Sequence, residues 1–291
     1  FMESYFWPNL ILRSKQFGIP VIFASSQLSN KAAAKWIKRP AFAKQLFAAA
    51  DLILPVDSQQ ADQFRRLIGT AKDAPPIQVV GSLKLPDIQP HDPHLQQTLH
   101  KAAANRQVFL AASTHHGEEQ IIIDAARMLG AGWLTIIAPR HPQRGDSVAA
   151  IAGQAPQRSH GAMPDQNETI FIMDSLGEMG TLFNLANYVF LGGSLVPAGG
   201  HNPLEPATFG LPILTGPHIF KNSAEFNGLA AVDAVFDVHD AETITARIHL
   251  LEKDPKRRAK LAKSAKDYVK LAHQRVSVAA RAIEHVLHKD K

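Results

Sequence analysis

Cysteine is absent from all 291 residues. Its absence excludes disulfides, thiolate nucleophiles and cysteine-based metal sites, and it fits a cytosolic address. No apolar run approaches the roughly 20 residues needed to cross a bilayer, and no signal-peptide pattern is present. Repeats and low-complexity tracts are missing too. Neither sign of charge dominates: 31 basic and 26 acidic residues leave a net charge of +5 and a pI near 9.4. That excess suits nucleic acid, anionic lipid or a phosphorylated substrate, and composition does not choose among them. What remains is an ordinary globular composition, 45% hydrophobic and 20% charged, long enough for two domains with separate cores.

Helix and strand patterns alternate along the chain. Helical spacing over 7–18 precedes an apolar strand over 19–24. A long helical stretch over 30–50 carries Lys31, Lys35, Lys38, Arg39 and Lys44, and is followed by a strand at 52–54, a helix over 58–68 ending at Gly69, and a strand at 77–80. The Pro- and His-rich segment 86–93 marks the best domain boundary. Beyond it, strands at 108–112, 134–138, 170–173, 189–191 and 213–214 alternate with helical patterns, which predicts an α/β domain with a parallel sheet covered on both faces. Ligands bind such sheets at the loops after the C-terminal strand ends. After Asp240 the chain is helical and basic, with Lys253, Lys256, Arg257, Arg258, Lys260, Lys263 and Lys266. Acidic residues are interspersed and no aromatic platform accompanies them, so this reads as a solvated helix face.

Residues 192–205, Gly-Gly-Ser-Leu-Val-Pro-Ala-Gly-Gly-His-Asn-Pro-Leu-Glu, follow an apolar strand and open a helix. Gly192, Gly193, Gly199 and Gly200 permit close backbone approach to a ligand, and the first helical turn offers N–H groups to a phosphate; tight turns explain the same glycines. Asn202 reads as N-cap with Pro203 at the first helical position, and Glu205 sits where it either closes a capping box or meets a ligand. Ser194 and His201 belong to the same loop.

Three other strand ends carry candidate chemistry. Arg140 and His141, flanked by Pro139 and Pro142, follow the strand at 134–138; the arginine suits a phosphate or a carboxylate salt bridge, and the histidine a ligand or a structural hydrogen bond. Ser113 and Thr114 end the strand at 108–112, before Gly117, Glu118 and Glu119, which read either as ligand contacts or as a helix start whose acids complement the dipole. Ser175, Gly177, Glu178 and Met179 follow the strand at 170–173. Fourteen histidines are scattered without a His-Glu-x-x-His pattern, so no metal site is expected.

Several of these segments, in order, resemble the Kdo (3-deoxy-D-manno-octulosonic acid) transferases. The resemblance covers nearly the whole chain: Glu-Ser-Tyr-Phe-Trp-Pro-Asn at 3–9, Gly-Ser-Leu-Lys at 81–84, Ser-Thr-His-His-Gly-Glu-Glu at 113–119, Pro-Arg-His-Pro at 139–142, Gly-Glu-Met-Gly at 177–180, and 192–210 with Gly-Pro-His at 216–218. Departures cluster early: Tyr5 stands for a second glutamate, Gln27 for an arginine and Leu85-Pro86 for Phe-Asp. The resemblance implies a GT-B architecture with two Rossmann-like parallel-sheet domains, the first incomplete here. It divides the chain into 1–85, part of an acceptor-binding domain; 86–270, the donor domain; and 271–291, a terminal helix packing back on the first.

Further implications concern function. The resemblance implies inverting transfer of Kdo from CMP-Kdo to a lipid A precursor, lipid IVA, in lipopolysaccharide synthesis at the cytoplasmic face of the bacterial inner membrane, without cofactor or metal ion and without nucleic acid as partner. Donor contacts would come from Ser113, Thr114, Arg140, His141, Gly177, Met179, Gly192, Gly193, Ser194, Gly199, Gly200, His201, Asn202 and Glu205. Glu205 would take the ribose hydroxyls. Glu3 would support catalysis on the acceptor side, and the general base is expected before Phe1, in a region that would also hold a membrane anchor. A GT-B enzyme using a UDP-sugar, or a non-catalytic nucleotide- or nucleic-acid-binding module, are the competing readings.

Overall fold

Short apolar runs bounded by turn residues become parallel strands in this protein, for which a computed structural model describes residues 1–69, 74–88 and 90–288. The chain forms two compact units, Phe1–Leu85 with Lys270–Lys291, and Pro86–Val269.

The first unit contains α1 (Pro8–Gln16), β1 (Ile22–Ser26), α2 (Asn30–Ile37), α3 (Pro40–Phe47), β2 (Leu52–Pro55) and α4 (Ser58–Ile68). β1 pairs in parallel with β2, placing Phe23 opposite Ile53, and single bridges at Met2–Ala24 and Ile53–Ile77 flank the pair. The strand expected at 77–80 is therefore one bridge only: Ile53 bonds to the Pro76 carbonyl and the Gln78 N–H, and the chain then leaves the ladder, reaching Gly81 at φ +89°. The long helix expected over 30–50 is two helices. Pro40 has no N–H and forces Arg39 out of helical geometry (φ −132°, ψ 61°), while Ser29 caps α2 through the Ala32 N–H at 3.2 Å. Phe6, Phe23, Phe47 and Phe64 pack edge to face at the centre, with centroids 5.1 Å (Phe6–Phe23) and 5.5 Å (Phe47–Phe64) apart.

The second unit runs α5 (Pro93–Ala103), β3 (Gln107–Thr114), α6 (Glu119–Leu129), β4 (Trp133–Pro139), α7 (Gly145–Ile151), β5 (Ile170–Ile172), α8 (Met179–Leu185), β6 (Tyr188–Leu191), α9 (Leu204–Phe209), β7 (Ile213–Thr215), α10 (Ser223–Ala230), β8 (Val235–Asp237) and α11 (Ala241–Glu252). It closes with the first part of α12 (Pro255–Leu287), whose residues from Lys270 on belong to the other unit. Six parallel strands lie in the order β5-β4-β3-β6-β7-β8. Residues 108–112 of β3 and 188–191 of β6 are buried without interruption, the pattern of a sheet covered on both faces. From β3 the chain winds outward through β4 and β5, then returns to place β6 on the other side, so the topology reverses between β3 and β6. A crevice forms at the carboxyl ends of strands at such a switch point. The basic helix behaves as its pattern predicts: Lys256, Lys260, Lys263 and Lys266 are exposed, while Leu261, Ala265 and Val269 are buried. Arg258 departs from it, bonding the Glu252 carboxylate and the buried Tyr188 hydroxyl.

Candidate functional site

A cleft of about 430 Å³ opens at that switch point. Its walls come from the ends of β3 (Ser113), β4 (Arg140), β5 (Met173, Ser175) and the loops after β5 and β6 (Gly177, His201), with Glu205 from α9 and Asp87. Ser113 sits at φ +57°, a left-handed conformation that is costly for a serine, and the register between β3 and β4 shifts there, between Ala112 and Thr114. The adjoining Gly192 is required by space. A Cβ on it would lie 2.3 Å from the Ser113 carbonyl oxygen.

Two consecutive glutamates organise the cleft from behind. The fully buried Glu118 carboxylate accepts four backbone N–H bonds, from His115 (2.8 Å), Gly193 (2.8 Å), Ser194 (2.9 Å) and Leu195 (2.9 Å). It therefore fills an anion nest that the glycine-rich loop would otherwise present to a ligand. The buried Glu119 reaches the opposite way and pairs with Arg144 at 2.6 Å. Arg144 N–H bonds the His141 carbonyl, and Arg140 N–H bonds the Thr114 carbonyl, so the loop bearing Arg140 is held at both ends. The helix-dipole role expected of these acids is secondary to this bracing, because both side chains point inward from the start of α6 and reach other loops.

The expected donor residues separate into a lining set and a supporting set. Ser113, Arg140, Gly177, Met179, His201 and Glu205 line the cleft. Thr114, His141, Gly192, Gly193, Ser194, Gly199, Gly200 and Asn202 stand outside its lining. Ser194 is buried, its hydroxyl donating to the Leu191 carbonyl and accepting from Gly216 N–H. Gly200 N–H bonds the Gly193 carbonyl, and Gly200's own carbonyl accepts from the Asn222 amide. Gly199 packs against Lys221 and Phe220. The predicted capping box does not form: α9 starts one residue later than expected, with Pro203 rather than Asn202 at the N-cap position, Asn202 Oδ1 accepts Leu204 N–H at 3.1 Å, and the Glu205 carboxylate lines the cleft, where no described residue donates to it. Glu178 is held by Arg158 at 3.0 Å and by the Ser175 hydroxyl.

Electrostatics divide the cleft. Burial, with the Asp87 charge beside it, raises the Glu205 pKa to about 7 against the opposing pull of Arg140. Burial also lowers His201 to about 4, assisted by His115, Arg140, Lys221 and His141. His201 Nε2 lies 3.0 Å from His115 Nε2, the rings stacked with centroids 5.3 Å apart, and the His115 pKa is itself lowered, chiefly by burial. His141 lies 6.4 Å from His115, centroid to centroid. Although three histidines gather here, among the described residues no three His, Asp or Glu side chains are placed to share a metal ion. Basic groups thus surround His201, while Glu205 feels one acid, Asp87, and one base, Arg140.

Glu3 lies in the first unit, in a left-handed conformation (φ +56°) with its carboxylate 3.7 Å from Lys84 Nζ. Sequence reasoning missed Asp87, the Glu118 nest and the Glu119–Arg144 pair. The acidic doublet after Gly117 was the visible signal for the last two.

Residues 1–86 match the family model of 3-deoxy-D-manno-octulosonic-acid transferase (kdotransferase). The chain is 34% identical over 250 residues to the 3-deoxy-D-manno-octulosonic acid transferase of Haemophilus influenzae, covering 82% of this chain and 57% of that protein. It is 30% identical over 282 residues to the Bordetella pertussis enzyme of the same name, covering 91% and 63%. Among solved structures, the C-terminal CMP-Kdo binding domain of WaaA from Acinetobacter baumannii aligns at TM-score 0.57 and 30% identity over 60% of this chain and 96% of that domain. Anabaena HepE in complex with UDP aligns at TM-score 0.58 and 13% identity, over 94% and 74%, a likeness of fold. The chain spans about three-fifths of the length of these curated relatives.

Two parallel-sheet units, with a cleft at a strand switch point in the second, define a protein of the GT-B glycosyltransferase class, as expected from the sequence. Within that class the chain belongs to the Kdo transferase family.

Proposed function

We propose that the whole protein transfers Kdo from CMP-Kdo to a lipid A precursor, lipid IVA, with inversion, in lipopolysaccharide synthesis at the cytoplasmic face of the inner membrane. Residues 86–270 are the donor domain, residues 1–85 contribute to acceptor binding, and the separate terminal helix expected from 271 on is instead the second part of α12 (Pro255–Leu287). The observation that carries this reading is the mixed polarity of the cleft, whose lining brings together Arg140, His201 and Glu205.

CMP fits that polarity. The exposed Arg140 guanidinium, its backbone anchored to β3 through the Thr114 carbonyl, supplies positive charge where a phosphate leaves. The Glu205 carboxylate, which has no donor among the described residues, accepts the two ribose hydroxyls; Ser113, Gly177 and Met179 complete the walls. Gly192, Gly193, Ser194, Gly199, Gly200 and Asn202 shape the loop that carries His201. Glu3 supports the acceptor side through its pairing with Lys84, and no residue of this chain is assigned as the base that takes the acceptor proton. No helix among the described residues is long and apolar enough to cross a membrane.

Calorimetric titration with CMP, UMP, AMP and GMP tests the reading, repeated with the best ligand on Glu205→Ala. Preference for CMP that the substitution abolishes supports it. Preference for UMP points to a UDP-sugar enzyme, and a folded chain that binds none of the four overturns it.

A further inference from the structure

Arg140 follows β4 with its side chain exposed and without an ion pair among the described residues, so the backbone beneath it decides where it reaches. One end of that backbone is tied to β3, where Arg140 N–H donates to the Thr114 carbonyl at 2.9 Å. The other end is a single 3₁₀ turn, Pro142–Arg144, whose Arg144 N–H donates to the His141 carbonyl at 3.0 Å. From this turn the Arg144 guanidinium reaches the carboxylate of Glu119, the first residue of α6, at 2.6 Å. The pair therefore joins the segments that follow two neighbouring strands, β3 and β4.

We propose that Glu119 and Arg144 are positioning residues for the donor phosphate: their ion pair fixes the loop from which Arg140 reaches it, an inference that rests on the nucleotide-sugar function proposed above. Stability is a poor account of such a pair. The Glu119 side chain is 2% exposed and that of Arg144 23%, and the cost of withdrawing charges from water offsets much of their attraction. Apolar residues of similar volume commonly hold two elements together at least as well. What they do not supply is direction, whereas a guanidinium on a carboxylate fixes angle as well as distance.

Neither Glu119 nor Arg144 lines the cleft, so their action on a ligand passes through Arg140. With both ends of the loop anchored, binding a phosphate has to order only the torsions of the Arg140 side chain. Releasing the Arg144 end adds the backbone freedom of residues 141–144 to what binding must remove, and affinity for the phosphate falls by that much. The pairing also occupies Arg144, which leaves Arg140 as the arginine presented to the cleft. Ser113, Glu205 and the loop after β5 stand on other segments and do not depend on this anchor. Contacts to the nucleoside should therefore survive its loss, and the contact to the phosphate should not.

The test compares CMP with cytidine, which lacks only the phosphate, by calorimetry on the full chain. Glu119→Gln and Arg144→Gln, checked for folding by circular dichroism, are each expected to lower the CMP to cytidine affinity ratio about tenfold while cytidine affinity stays within about twofold. In an Arg140→Ala background the same substitutions should leave the ratio unchanged, because the residue they position is gone. Arg144→Lys keeps the charge without the planar fork and carries the test should the other variants fail to fold, with an expected loss of about threefold. Folded variants that keep the wild-type ratio, a parallel loss of CMP and cytidine affinity, or a loss that persists without Arg140 would each overturn the inference and leave the nucleotide reading standing. If the wild type binds CMP no more tightly than cytidine, Arg140 is not the phosphate ligand and the inference falls with it. A folded wild-type chain that binds neither ligand overturns the nucleotide reading as well.

Discussion

Glu118 and Glu205 are both withdrawn from solvent in the same unit, and they differ in what donates to them. Glu118 holds four backbone N–H groups from two loops, whereas no described residue donates to Glu205, which faces a cleft next to Asp87. One carboxylate is spent on the fold, and the other is available to a ligand. Burial alone therefore does not mark a functional acid in this protein; the count of donors does.

The largest effect should come from breaking the satisfied member. Glu118→Ala strands four buried donors and is expected to destabilise the second unit by about 3–5 kcal/mol, read as a lowered denaturant midpoint. Glu118→Gln, which keeps an acceptor oxygen but adds a donor, should fall between. Substituting the unsatisfied member should instead weaken ligand binding: Glu205→Ala is expected to reduce CMP affinity about 10- to 100-fold, the loss of hydrogen bonds to a charged group.

Stability against pH sharpens the contrast. The folded pKa of Glu205 is raised from 4.5 to about 7, so the folded state holds this proton more tightly than the unfolded chain. The associated stabilisation is complete below pH 4.5 and is lost as pH rises through 7. Glu205→Gln should therefore match the wild type near pH 4 and exceed its stability at pH 8 by at most about 3 kcal/mol, less whatever solvent screening removes. His201, lowered to about 4, works in the opposite direction but is present in both proteins and cancels in the difference. The smallest effect belongs to the basic helix, where Lys256→Ala and Lys260→Ala should shift the unfolding midpoint by no more than about 0.5 kcal/mol equivalent.

The parallel sheet of the second unit was legible because five of its six strands are mainly apolar runs flanked by turn residues; β8, no shorter than β5 or β7, was not read as a strand. Proline 40 carried the information that splits the first long helix, outweighed in the reading by the helical pattern on either side. At the site, strand-end position singled out Arg140 and His201 as candidates, while Glu205 stood open between a capping box and a ligand until the family resemblance favoured the ligand. Position could not assign the N–H groups of the glycine-rich loop, since their partner, Glu118, is 75 residues away from Gly193 and meets it only through the fold. His115 and His201, 86 residues apart, were two of five histidines, with His116, His141 and His218, that the sequence offered as able to converge, and only the fold selects which two touch.

A crystal structure of the chain with CMP bound would test the division of labour between the two glutamates most directly. The phosphate is expected on Arg140 and the ribose hydroxyls on Glu205, with the N–H groups of Gly193, Ser194 and Leu195 still bound to Glu118. A phosphate seated on those three N–H groups with the Glu118 carboxylate displaced, or a ribose that leaves Glu205 untouched, would contradict it.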